Sequence, residues 1–281
     1  MAEPRRSTAE QRVYKTPGVQ KLHRGLWVPK GDIDASTLAK AARLVLPQGV
    51  LADEWATWAL VGRRLSPPSG PVRVVVPPDD FAERRDRLFV RHASLPAEDV
   101  VVIGDLAVTG GTRTAVDVLC DWKRLGRYRA IELVDALLNV GATTVADVRA
   151  VLALTSQRGV VRARELVEET EPGAESGQET RLRLIVVDGG LPRPKAQWIV
   201  TDENGIFVAR CDLGYDDADL GLEYHGKEHK ETLAYDWDRA GAIDVRGGAR
   251  VLAFVAEHLR TPQAVVRRVR LARERQLGRS A

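Results

Sequence analysis

The feature that most constrains this 281-residue chain is EPGAESG at residues 171–177. Glycine, proline and acids fall together there, and the hydrophobic patterning differs on its two sides. A linker at that point leaves an N-terminal part of residues 1–170 and a C-terminal part of 178–281. That division agrees with a soft prior of about 150 residues per domain. Hydrophobic residues at 44% and charged residues at 29% exclude wholesale disorder.

The N-terminal part reads as α+β. LHRGLWVP (22–29) is a short strand or hairpin ended by Pro29. Residues 35–47 have helical spacing, with Ser36 as candidate N-cap, and ADEWATWALVG (52–62) is a second helix ended by Gly62. VRVVVPP (72–78) and LFVRHA (88–93) are strands, and residues 99–109 read as strand, turn, strand around Gly104-Asp105. Helical stretches follow at 112–126, 129–140, 145–153 (capped by Thr144) and 158–170. Trp27, Trp55 and Trp58 are read as core residues.

After the linker the order is a helix (178–188) and three strands (197–202, 206–212, 220–225). A helix (227–243), a strand (250–256) and a basic helix opened by Pro262 follow. The short acidic turns DENG (202–205) and GYDDAD (214–219) make the three strands an antiparallel meander.

The net charge of +3 hides an uneven distribution. Residues 262–281 carry six arginines and one acid, and residues 1–24 carry six basic residues and two acids. Basic ends on an acidic body suit a polyanionic partner such as DNA, because each cation on a phosphate releases a counterion. A high arginine share also reflects genome composition, and a solvated helix is the plainer reading. No run approaches 18 apolar residues, so no membrane partner is expected. The first residues lack an apolar signal core, and the two cysteines, Cys120 and Cys211, make no disulfide framework or four-cysteine zinc site. A cytoplasmic location is therefore expected.

The chemistry-bearing pattern lies in the meander. In a strand, alternate side chains share a face, so Asp212 falls with Arg210 and Val208, and Glu223 with His225 and Gly221. A short hairpin brings Asp212 and Glu223 to adjacent strand ends. Two carboxylates so close repel unless a proton or cation lies between them. Oxygen donors of this kind suit Mg²⁺ (or Mn²⁺), which lowers the pKa of bound water and stabilises a pentacovalent phosphorus. His225, two residues beyond Glu223, is placed to orient or deprotonate the attacking water. The plainer readings are that Asp212 forms a turn and that the acidic hairpin tip is solvated.

The residues ESGQETRLRLIVVDGGLPRP (175–194), ARCDLGYDDADLGLEYHGKEH (209–229) and YDWDR (235–239) resemble the Vsr-like nuclease-related family of actinobacteria. That family lies within the PD-(D/E)XK restriction-endonuclease-like superfamily. The resemblance implies an α/β restriction-endonuclease-like domain and a Mg-dependent deoxyribonuclease. Its metal would be held by Asp212, Glu223, Glu179 and the Tyr224 carbonyl, with His225 or Lys227 assisting at the water or phosphate. His225 stands where the superfamily usually has lysine and the narrower family aspartate. Gly226 and His229 match the narrower family's continuation, while Cys211 replaces the motif proline and is read as core. Ser176 and Glu179 also form a capping box, which fixes a helix start without any catalysis. Arg267, Arg268, Arg270, Arg273 and His229 are candidate nucleic-acid contacts. In that helix Val265, Val269 and Leu271 supply the apolar contacts.

LHRGLWVP, ADEWATWALVG, VRVVVPP and VTGGTRTAVDVLCD (108–121) resemble actinobacterial proteins with an AbiEi-type antitoxin domain, which commonly carry the nuclease-like module behind it. Their usual winged-helix head is short or missing, since about twenty residues precede LHRGLW. Thr112 is a candidate cap, and Arg113–Asp117 an i, i+4 pair. The resemblances together imply an endonuclease in phage defence or DNA repair. The alternative is a non-catalytic DNA-binding regulator or antitoxin with a degenerate nuclease fold and a cognate toxin partner. A homodimer is expected where both strands are cut at paired sites.

Overall fold

The computed structural model describes residues 5–6, 17–23, 26–80, 86–226 and 249–278. The chain is mixed α and β and divides into two compact units. The first comprises residues 1–125 and 140–168, the second 126–139 and 169–281.

The first unit opens with β1 (Arg5–Arg6), β2 (Val19–His23) and β3 (Leu26–Pro29), an antiparallel group in the order β1-β3-β2. Helix α1 (Ala35–Val45) starts at Asp34, whose carboxylate accepts the Thr37 N–H at 2.7 Å. The cap is therefore Asp34 and not Ser36, because at two positions earlier a side-chain oxygen reaches the free N–H of the first turn. Strand β4 (Val50–Leu51) and α2 (Asp53–Val61) follow, and Gly62, at φ +69°, ends the helix. Strands β5 (Val72–Val76), β6 (Leu88–His92), β7 (Val100–Ile103) and β8 (Leu106–Thr109) complete a mixed sheet of order β6-β5-β4-β8-β7. Gly104, at φ +63°, makes the expected β7–β8 turn.

The expected helix 112–126 is two helices, α3 (Gly111–Cys120) and α4 (Trp122–Leu125), separated at Asp121. The cap of α3 is Gly110 rather than Thr112. A Cβ on Gly111 would lie 2.0 Å from the Ala142 carbonyl oxygen, so only glycine admits this approach. Helix α5 (Arg127–Asn139) belongs to the second unit, whereas α6 (Val145–Leu154, capped by Thr144) and α7 (Val160–Leu166) return to the first. The core under the mixed sheet is small and tight. Ala39, Ala42 and Ala56 let α1 and α2 lie close to Val72, Val74, Val76 and Val108. Trp55 is fully buried, donates Nε1–H to the Pro71 carbonyl at 2.8 Å, and meets Trp58 edge-on.

In the second unit, α8 (Gly177–Asp188) precedes β9 (Lys195–Thr201), β10 (Phe207–Tyr215), β11 (Leu220–Tyr224) and β12 (Arg250–Phe254). The strands β9 to β11 form the expected antiparallel meander, and β12 joins β11 in parallel. A short helix α9 (Ala256–Leu259), which the sequence did not announce, leads to α10 (Pro262–Leu277). The expected helix at 227–243, with Lys227 and His229, lies outside the described residues. Leu182, Ile185 and Val186 of α8 and Val265, Val269 and Ala272 of α10 cover Leu213, Leu222, Leu252 and Phe254 of the sheet. Leu271, expected to pack, is instead 48% exposed, and Ala272 and Gln276 complete the buried face.

Helix α5 sits with the second unit, not with the expected 1–170 part, and a buried polar centre explains why. Asp135 accepts from Arg183 Nη2 at 2.8 Å, Thr180 Oγ1 at 2.8 Å and the Glu171 N–H at 2.7 Å. Arg183 also donates to the Glu169 carbonyl at 2.6 Å. Neither charged side chain is left in contact with water, so removing either element strands a charge in the interior.

Candidate functional site

Register sets the two predicted strand carboxylates opposite one another. Leu213 pairs with Leu222, Gly214 with Gly221 and Tyr215 with Leu220. One step further out, Asp212 comes across from Glu223. The Tyr224 N–H donates to Asp212 Oδ2 at 2.7 Å, and His225 Nε2 lies 3.3 Å from Glu223 Oε2. The first turn of α8 supplies the third carboxylate. Ser176 Oγ accepts the Glu179 N–H at 3.3 Å, and Glu179 Oε2 accepts the Glu175 N–H at 2.9 Å. Glu179 therefore does the helix-start work that the capping pattern implied, but through Glu175 rather than the Ser176 N–H.

Gln197 was not anticipated. It stands in β9 at φ +52°, a left-handed conformation uncommon for a non-glycine residue, and its Nε2 lies 3.3 Å from Glu179 Oε2. No sequence motif marks it. Arg210 contributes an ion pair with Glu175 at 3.2 Å.

The electrostatics bind these groups into one cluster. Burial pushes the Glu179 carboxyl up to about 7, and the charge of Asp212 adds to the rise. Burial also raises Asp212; the Tyr224 N–H opposes that rise and Glu223 adds to it. Close carboxylates in a dry site take up a proton, and a cation can take its place.

The donor chemistry is that of a hard cation, since Glu179, Asp212 and Glu223 all offer oxygen. Among the described residues, however, no group of three or more His, Cys, Asp and Glu side chains is disposed to hold a metal ion. Asp212 and Glu179 each turn one oxygen to a backbone N–H, and one oxygen of Glu223 lies beside His225. Cys211 is fully buried with Trp198, Val200 and Ala209, as its core reading required.

The basic helix is more occupied than its sequence suggested. Arg268 donates to the Ala253 carbonyl at 3.1 Å and lies over Phe254. Arg270 donates to the Gly189 carbonyl at 2.8 Å, and Arg273 pairs with Asp217 beneath Tyr215. These three candidate nucleic-acid contacts thus hold α10 onto its own unit. Arg267 and Arg275 are exposed.

In the first unit the TRT segment is structural. Arg113 pairs with Asp117 at 3.1 Å, as expected, and also with Asp99 at 3.2 Å, while Thr112 bonds Thr143 at 2.8 Å.

Comparison with known proteins finds similarity over part of the chain. Residues 56–169 match the family model of the AbiEi antitoxin C-terminal domain. Two uncharacterized proteins of Mycobacterium tuberculosis, from strains CDC 1551 and H37Rv, are each 35% identical over 138 residues, which is 49% of this chain and 49% of theirs. The chain thus spans about half the length of these relatives. Among the described residues, no helix is long and apolar enough to cross a membrane.

Proposed function

We propose that this chain is a DNA-binding regulator of the antitoxin type, paired with a cognate toxin. Its second unit would be a restriction-endonuclease-like module that clamps DNA without cutting it. The observation that carries this reading is the match of residues 56–169 to the AbiEi antitoxin C-terminal domain. Two features support it: the carboxylates already engaged by protein donors, and the exposed Arg267 and Arg275 on α10. Phosphate contacts from such arginines would position DNA without reading sequence.

The test measures fluorescence anisotropy with the DNA upstream of the chain's own gene at 50 and 200 mM salt, alongside co-expression with the product of the adjacent gene. Binding that weakens steeply with salt, together with relief of growth arrest, is expected. Absence of both would refute the reading.

A second reading, a Mg-dependent deoxyribonuclease, is favoured by Asp212 standing across from Glu223 and near enough to Glu179 for its charge to raise that carboxyl. These residues and the Tyr224 carbonyl would hold Mg²⁺ or Mn²⁺, which would activate water and stabilise the phosphorane-like transition state. His225, beside Glu223, would orient the water. Plasmid cleavage that requires Mg²⁺ or Mn²⁺ and disappears in Asp212→Ala and Glu223→Ala would establish it. Cleavage surviving both substitutions would exclude this site.

A further inference from the structure

The first unit contains a cleft that the antitoxin reading does not use. It has a volume of about 600 Å³, within the range typical of small-molecule sites. Strands β5 and β6 supply Arg73, Phe89 and Arg91 to it, α3 supplies Asp117, and α4 supplies Lys123 and Arg124. The turn before α7 closes it with Arg158.

The carboxylates of this cleft are already answered. Asp117, only 2% exposed, accepts from Arg91 at 2.6 Å, Arg113 at 3.1 Å and Gln157 at 3.2 Å. Asp53 is paired with Arg73, and Asp121 with Arg124. The lining nevertheless carries five cationic side chains against three carboxylates. The surplus resides in Lys123 and Arg158, which are exposed and have no carboxylate partner among the described residues.

An aromatic platform lies in the same cleft. Phe89 is 45% exposed, and the Arg73 guanidinium covers one ring face at 4.0 Å from its centroid. The exposed part of the ring offers surface to a planar partner. A flat ring for stacking and unanswered cations in one cavity match a ligand that is aromatic at one end and polyanionic at the other.

We propose that this cleft binds a nucleotide. The base would stack at Phe89 and Arg73, and the phosphates would lie against Lys123 and Arg158. The recognising chemistry is the same for a free nucleotide and for the phosphorylated end of a strand.

The experiment is calorimetric titration of the full chain with ATP, CTP, a 5′-phosphorylated dinucleotide and pyrophosphate. Saturable binding of a nucleotide or of the phosphorylated dinucleotide is expected. Lys123→Ala with Arg158→Ala should weaken every probe by about tenfold or more. Phe89→Ala should weaken the base-bearing probes by about fivefold or more and leave pyrophosphate unchanged. All three side chains are exposed, so these variants keep the fold, which circular dichroism checks. Binding of the dinucleotide but not of the free nucleotides would assign the strand end as the source; binding of both would assign the free nucleotide. The proposal is overturned if none of the probes saturates at millimolar concentration, or if the Lys123/Arg158 double variant binds like the native chain.

Discussion

Replacing Arg183 by methionine keeps most of the buried stem and removes the charge that answers Asp135. In the native chain, burial pushes Asp135 from 3.8 up to about 6, with Arg183 and the Glu171 N–H pulling it back. The raised value means that the unfolded chain gives up this proton first. Stability from this group is therefore full below pH 3.8 and declines until pH passes the folded value. At 1.36 kcal/mol per unit, the native chain loses about 3 kcal/mol over that interval and nothing further above it. Without Arg183 the folded value climbs higher still and the decline continues. The variant therefore goes on losing stability at pH values where the native chain has stopped. At pH 5 the two are equal in this respect. The Glu169 carbonyl loses a donor in both conditions, which costs about 1 kcal/mol more. At pH 8 the total loss is expected in the roughly 3–5 kcal/mol range for breaking a buried pair. Urea unfolding followed by tryptophan fluorescence at pH 5 and pH 8 measures both losses. Equal losses at the two values would refute the reasoning, because only the titration of Asp135 makes them differ.

Two further outcomes follow from the second unit. Glu179, buried and raised from 4.5 to about 7, should make native stability fall as pH rises through that window, by at most about 3 kcal/mol; Glu179→Gln should flatten that slope in EDTA-containing buffer, as read by thermal unfolding from pH 4.5 to 8. Gly214→Ala should destabilise by about 1–3 kcal/mol in chemical denaturation, since its Cβ would stand 2.2 Å from Cγ of the buried Trp198, whose Nε1–H is held by Asp216.

Much of the framework was legible because it rests on local chemistry. Gly104, Thr144, Ser176 and Pro262 mark turns and helix starts through their own backbone preferences, and the structure uses each of them there. The opposition of Asp212 and Glu223 was legible because strand periodicity and a short hairpin nearly determine register. What was not legible depends on distant partners. Asp135 looks like an ordinary polar residue of an amphipathic helix until Arg183, 48 positions later, meets it. The bonds of Arg268, Arg270 and Arg273 to two carbonyls and Asp217 elsewhere in the chain could not be read from the spacing of α10. Gln197 gave no signal, since its residue type does not announce a positive φ within a strand.

The interleaving of the two units has a consequence for how such a chain is made and inherited. Helix α5 leaves the ribosome well before α8, so Asp135 must wait for Arg183 while α6 and α7 are synthesised. Part of the second unit is therefore synthesised before the first unit is complete. The same arrangement limits recombination. A crossover at 171–177 would deliver Arg183 into a new protein without Asp135, and the transferred half would arrive with an unanswered charge in its core. Crossovers that preserve the second unit must carry residues 126–139 with it.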